Sequence, residues 1–327
     1  MSDELLEAVL ACVGDDGASP PTDIVHRDQH SNDFAEVRLR NGRSLIVKRA
    51  RYDWAEPRFR ASRVASRMIR QETMVAVPAP LPVPAELDAR PLEAYWRIEL
   101  PTLEEILPRL DDRSRPRALR SWGELASRLH AVRVDGFGPV GDPATAGRPL
   151  DRYLREELAE RLLPAITDKW PAAVSTVHRM VRVIDEVAER VGGRSRLVHN
   201  DLHAGNVLCE IDDGGEVRCV GLIDLETALG APREADLAIM EVQHSGLFGD
   251  SIPGPWLRDV YAAYSEQVDP WVVHFYRAFH QVNMGFYSAI IGHHEHADQV
   301  AGAAAREVAD LERRTASARM EAAASVA

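Results

Sequence analysis

Lysine is nearly absent from this 327-residue chain: of 39 basic residues only Lys48 and Lys169 are not arginine. Where either cation would serve, arginine has been used, so a lysine inside an ordered strand marks a place that needs a compact ammonium on a flexible stem. Cysteine is also scarce. Cys12, Cys209 and Cys219 are odd in number and show no CxxC spacing, which argues against a disulfide framework and a structural zinc site and predicts buried, reduced thiols. No run approaches the ~20 apolar residues that span a bilayer. Residues Met1 to Glu7 are acidic where a secretory signal carries basic residues, so the expectation is a cytoplasmic protein with no membrane partner. Positive charge is in deficit too. The net charge is -12, with 16 acids against 14 bases in residues 1–100 and 35 against 25 in the remainder. Nucleic acid is an unlikely partner by that measure; a cationic small molecule would be favoured, although a solvated acidic surface accounts for the same surplus.

What is present reads as a small sheet followed by helices. Residues 4–13 have helical apolar spacing and end in Gly-Asp-Asp-Gly-Ala-Ser-Pro-Pro, a cluster of breakers. Strand patterns follow at 24–26, 34–39 and 44–48, the last two joined by Asn41-Gly42, a strong hairpin signal. Residues 58–72 read as a helix opened by Pro57, with Ala61, Val64, Ala65, Met68 and Ile69 on one stripe expected to pack on the sheet. Arg60, Arg63, Arg67 and Arg70 line another side, the pattern of a solvated face. After the Pro-rich run 77–84, residues 95–99 look like one more strand. The remainder is mostly helical, at 115–132, 149–166, 173–191, 234–243, 256–267 and 271–291, and the Ala-rich tail after Glu312 is expected to fray.

One strand-rich island, 197–224, interrupts the helices. Apolar runs on either side of Gly214-Gly215 should pair as a hairpin and bring Asp224 back toward Asn206. Asp201, Asn206 and Asp224 then converge. Phosphoryl transfer needs one carboxylate to orient or deprotonate an acceptor hydroxyl, and hard oxygen ligands to hold Mg2+ against the phosphates. Asp201 suits the first task, Asn206 with Asp224 the second. The His293-His294-Glu295-His296 tract has no defined ligand spacing and is not assigned a metal.

His199, Asp201 and Asn206 match the HxDxxxxN motif of the aminoglycoside phosphotransferase family, and Asp224-Leu225-Glu226 stands where that family has its metal-binding acids. Gly123, Leu129-His130 and Gly136-Phe137-Gly138 also resemble the helix and turn after its hinge. The resemblance implies an α+β, bilobal, protein-kinase-like fold. It would have a nucleotide-binding lobe at 1–100, a hinge at about 95–101, and a catalytic and acceptor-binding lobe at 101–327. It implies ATP and Mg2+ as cofactors, with Asp201 as catalytic base, Asn206 and Asp224 as metal ligands, and Glu226 as a further metal ligand or a supporting acid. Lys48 would contact the phosphates, Ser31 and Asn32 would form the nucleotide loop, and His199 would hold the catalytic loop. Spacing in the family places a glutamate partner for Lys48 near Ser62, which is not acidic. Glu72, which extends the helix stripe, is the substitute the sequence offers.

The reading is therefore an ATP-dependent phosphotransferase acting on a hydroxyl of a small molecule. The acceptor would be an aminoglycoside-like antibiotic or an amino sugar or amino alcohol metabolite, bound by C-terminal helices in a region that carries Glu266, Asp269, Tyr276, His280, Asn283, Tyr287 and Glu295. The alternative is a catalytically silent nucleotide-binding module. A protein kinase is disfavoured, because the loop reads His-Asn-Asp where HRD would stand and Asp-Leu-Glu where DFG would.

Overall fold

Alternating apolar residues build a four-stranded antiparallel sheet in the order β1 (Pro21–Asp28), β2 (Asn32–Leu39), β3 (Ser44–Ala50) and β4 (Leu92–Trp96). The structure, a computed structural model, describes residues 1–12, 20–28, 32–51, 56–83, 90–243, 256–264 and 267–326. One face of the sheet buries Ala35, Val37, Leu45, Val47 and Ala94 against Leu6, Val9 and Leu10 of α1 (Asp3–Cys12). By the two-residue alternation of strands, Glu36, Ile46, Lys48, Glu93 and Tyr95 share the other face. Gly42 closes the β2–β3 turn at φ +85°, a conformation glycine adopts without strain.

Two expectations shift here. The last strand lies three residues earlier than its aromatic signal suggested, because Arg97 and Glu99 are exposed, with Arg97 turned to pair with Glu36. This places Glu93 directly opposite Lys48. The stripe of α2 (Glu56–Glu72) does not pack on the sheet as expected. Ala61, Ala65 and Ile69 join Val75, Val77 and Leu225 in a core shared with the helices that follow, and Phe59 alone clusters with Ala50 of the sheet. The physical reason is that the sheet face on that side carries Lys48 and Glu93, whereas the 225–227 turn offers apolar surface.

Beyond the sheet come α3 (Leu103–Ile106), α4 (Ser114–His130), α5 (Leu150–Arg155), a π-helical stretch at Glu156–Leu162, and α6 (Leu163–Lys169). Then follow α7 (Val174–Arg182), α8 (Ile184–Val191), α9 (Glu234–Gln243), α10 (Leu257–Ala263), α11 (Pro270–Ile290) and α12 (His294–Val326). The last runs to Val326 where fraying was expected; alanine is the strongest helix former. α4 is central, burying Leu119, Trp122, Leu125 and Leu129, each worth about 1.5–3 kcal/mol of burial. A Cβ on its Gly123 would stand 2.1 Å from the Val260 carbonyl oxygen, so glycine is what lets α10 lie against it. The short strands β5 (Gly138–Pro139), β6 (Arg196–Val198) and β9 (Leu229–Ala231) form one sheet. β7 (Val207–Ile211) and β8 (Val217–Leu222) form the hairpin expected around Gly214-Gly215. Cys209 and Cys219 face each other across that hairpin as buried free thiols, whereas Cys12 is half-buried. Among the described residues no helix is long and apolar enough to cross a membrane.

Candidate active site

The loop between β6 and β7 is held from beneath by one buried carboxylate. Asp236, on α9, accepts hydrogen bonds from the backbone N–H of His199 (2.8 Å) and of Asn200 (2.6 Å), and from His130 Nε2 (2.9 Å). Asn200 sits at φ +63°, a left-handed conformation that asparagine tolerates better than most residues and that these bonds hold in place. With Nε2–H of His130 committed to Asp236, its Nδ1 accepts from the Tyr264 hydroxyl at 2.6 Å. Burial opposes the charge of Asp236, but the His130 hydrogen bond and the neighbouring His199 hold its carboxyl below the ordinary value. His199 donates from Nε2 to the Ile223 carbonyl (2.7 Å), tying the loop to the strand end that precedes Asp224.

Above this base the expected residues meet. Asp201 Oδ1 accepts from Gln243 Nε2 at 2.7 Å, while Asn206 Nδ2 donates to the Asp201 carbonyl at 2.9 Å. Ile223 N–H donates to the Asn206 carbonyl at 3.0 Å, which sets Asp224 beside Asn206 as the hairpin predicted. Asp224 itself is at φ +62°, at the entry to the 225–227 turn, and its carboxylate is half-exposed. With Nδ2 engaged, the amide oxygen of Asn206 is the atom that remains for a cation, and with the open Asp224 carboxylate it forms a hard-oxygen pair of the kind Mg2+ takes. These residues fit that ion.

Lys48 reaches the same point from β3. Its Nζ lies 2.8 Å from Asp224 Oδ1 and 2.7 Å from Glu226 Oε1. Burial works against the ammonium, yet the Tyr95 ring and the two carboxylates keep Lys48 well above its ordinary pKa, so it is charged. Buried Glu226 also takes both bonds of Asn32 Nδ2, at 3.2 and 3.0 Å. Its oxygens are thus turned to Lys48 and Asn32, the position of a supporting acid.

Glu72 does not fill the role the sequence offered it: it is exposed in the last turn of α2, and the bonds of Lys48 go to Asp224 and Glu226 instead. Ser31 lies outside the described residues. Among the C-terminal candidates, Glu266 lies outside the described residues, Tyr276 and His280 are core residues and Asp269 caps α11, which leaves Asn283 half-buried and Tyr287 and Glu295 exposed. Sequence reasoning missed Asp236, Gln243 and Glu93. Asp236 shares its helix with Glu234, Glu241 and Gln243, so no local pattern singles it out, and Gln243 and Glu93 carry no mark either. Arg58 of α2 was also missed, and its charge lies in the field of Glu226 and Asp224, with Tyr287 nearby.

Comparison with known proteins bears on the family and the fold. The family model described as the phosphotransferase enzyme family matches residues 24–279. None of the curated proteins compared matches the sequence. The solved structures include the aminoglycoside phosphotransferase APH(4)-Ia, with a TM-score of 0.69 at 16% identity over 94% of this chain and 98% of that one. The GDP and kanamycin complex of APH(2")-IIia superposes with a TM-score of 0.65, at 16% identity over 94% and 99%. The macrolide 2'-phosphotransferase MphH from Brachybacterium faecium gives 0.59, at 18% identity over 92% and 98%. Identities this low show the fold: a small antiparallel sheet joined to a larger helical part, in the kinase-like arrangement.

Proposed function

Since the chain belongs to the phosphotransferase enzyme family, we propose that it transfers the γ-phosphoryl group of ATP to a hydroxyl of a small molecule. The observation that carries this is a chain of contacts: Asn206 on the β6–β7 loop bonds Asp201 and receives Ile223 N–H beside Asp224, and Lys48 reaches Asp224 from β3. Asp201 would act as the base. Gln243 fixes Oδ1, while Oδ2, touched by the longer contacts of Asn206 Nδ2 (3.5 Å) and His203 Nε2 (3.9 Å), would take the proton of the acceptor hydroxyl, a contribution of about 10^2 to 10^4 in rate. Asn206 and Asp224 would hold Mg2+, which when bound neutralises charge on the phosphates. Lys48 would orient the α and β phosphates, and Glu226, steadied by Asn32, would keep that ammonium in place. Residues 1–100 would form the nucleotide lobe, and the segment ending at Pro101, whose carbonyl accepts from Cys209, would be the hinge.

For the acceptor we propose an aminoglycoside-like antibiotic or an amino sugar or amino alcohol, because the acidic surplus beyond residue 100 attracts a cation. The presence of Ser62 where a glutamate is expected favours a second reading, a nucleotide-binding module without turnover. Phosphate transfer from ATP is to be measured across aminoglycosides, macrolides, amino sugars and amino alcohols, with Asp201→Asn beside the wild type. The expected result is transfer to at least one acceptor, lowered about 10^3-fold in Asp201→Asn with ATP still bound. Undiminished transfer in the variant would remove Asp201 as the base, and ATP binding with no transfer to any acceptor would favour the silent module.

A further inference from the structure

Lys48 has a third carboxylate beside it that no bond uses. Glu93 lies directly across from Lys48 in the β3–β4 register, on the same face of the sheet, where opposite side chains stand about 5 Å apart at Cβ. It is 3% exposed, and among the described residues neither of its carboxylate oxygens makes a hydrogen bond of ordinary geometry, although the Ser62 hydroxyl of α2 approaches it. A buried carboxylate in that condition is costly to keep, and a group left unsatisfied calls for a reason. The small cavity around it is lined by Lys48, Ser62, Ser66, Tyr95, Asp224 and Leu225. What α2 presents to this cavity is two hydroxyls, and the acids at its ends are engaged or remote: Glu56 pairs with Arg60, and Glu72 is exposed.

We propose that Glu93 is the positioning residue for Lys48 in the nucleotide-bound enzyme, supplying from the neighbouring strand the counter-ion that α2 lacks at Ser62. This rests on the phosphotransfer reading. In the structure Lys48 leans on Asp224 and Glu226. Asp224 is also the open carboxylate best placed for a cation, and once turned to that task it no longer neutralises the lysine. Glu93 is then the buried acid on the same cavity as Lys48 that, among the described residues, is in no ion pair; its competing neighbour is the neutral Ser62 hydroxyl. Burial, with the charge of Glu226, pushes its carboxyl up to about 7 against the pull of Lys48 and the Ser62 hydroxyl.

The test is Mg2+-ATP binding by titration calorimetry in wild type, Glu93→Gln, Lys48→Met and the double variant, with thermal midpoints for all four. Glu93→Gln keeps the shape of the side chain and removes its charge. It is expected to weaken Mg2+-ATP binding about tenfold when Lys48 is present and less than about twofold in the Lys48→Met background, without lowering the midpoint. Unchanged affinity in Glu93→Gln overturns the proposal. An equal loss in both backgrounds also overturns it, since Glu93 would then act independently of Lys48. So does a lowered midpoint that accompanies the loss in Glu93→Gln, because that is the mark of a packing role. A wild type that binds no Mg2+-ATP would instead remove the phosphotransfer reading and is thereby told apart.

Discussion

Asp236 illustrates how much geometry one carboxylate can hold. It satisfies two consecutive backbone N–H groups and a histidine, and without it the left-handed turn at Asn200 loses the bonds to both of those N–H groups. Asp236→Asn keeps the volume but turns an amide N–H2 toward groups that are themselves donors. The expected cost is about 3 kcal/mol in denaturant unfolding, with kcat lowered at least about tenfold and the acceptor KM little changed, because Asp201 rides on this loop. Asp201, Asn206 and Asp224 are legible in the sequence because a hairpin of fixed register joins them. Asp236 and Gln243 are not, since they act on residues some forty positions earlier through helix packing that no local pattern encodes. Glu93 was hidden by a three-residue error in the strand boundary, which reversed nothing in the fold but concealed which residue faces Lys48.

At the scale of elements, the β2–β3 hairpin is stapled by an acid at its open end. Asp33 accepts from Arg49 Nη2 at 2.7 Å and from Arg51 Nε at 2.8 Å. Burial works against its charge, but the hydrogen bonds from Arg51 and Arg49 pull the Asp33 carboxyl down to about 2 from 3.8. A carboxyl with a depressed folded value contributes stability that is present above pH 3.8 and is lost as pH falls from there through about 2. Asp33→Asn is therefore expected to cost about 1 kcal/mol at pH 7 after allowance for solvent screening, a difference from wild type that closes below about pH 2. Equilibrium unfolding of the two proteins across that range checks it. The strands, the hairpins and most helices are readable from periodicity and turn residues. The packing of α2 is not, because its stripe fits two surfaces and the choice depends on where Lys48 and Glu93 leave the sheet face polar.

For the whole molecule, the proposed nucleotide cleft draws Lys48 from the sheet and Asp201, Asn206 and Asp224 from the helical part, so a ligand there ties the two together. ATP with Mg2+ at about a hundred times its Kd is expected to add about 2.7 kcal/mol to unfolding, and Lys48→Met to reduce that gain. Thermal or denaturant unfolding with and without the nucleotide measures it; a midpoint unmoved by saturating Mg2+-ATP would argue against a cleft formed between these parts. The acceptor is the least legible feature of the sequence. Tyr276 and His280, polar by type, turned out to be core, and only the folded position of α11 separates them from Asn283 and Tyr287.

The register that sets Glu93 against Lys48 has one more consequence. Where a kinase draws the partner of its lysine from a helix, swinging that helix away disconnects the pair and gives regulators a handle. A counter-ion carried on the adjoining strand is bound into the same hydrogen-bonded ladder as the lysine, so movement of α2 leaves the distance between them unchanged. If Glu93 serves as proposed, that helix swing would not disarm the pair, and a variant that loosens α2 would leave nucleotide affinity unchanged.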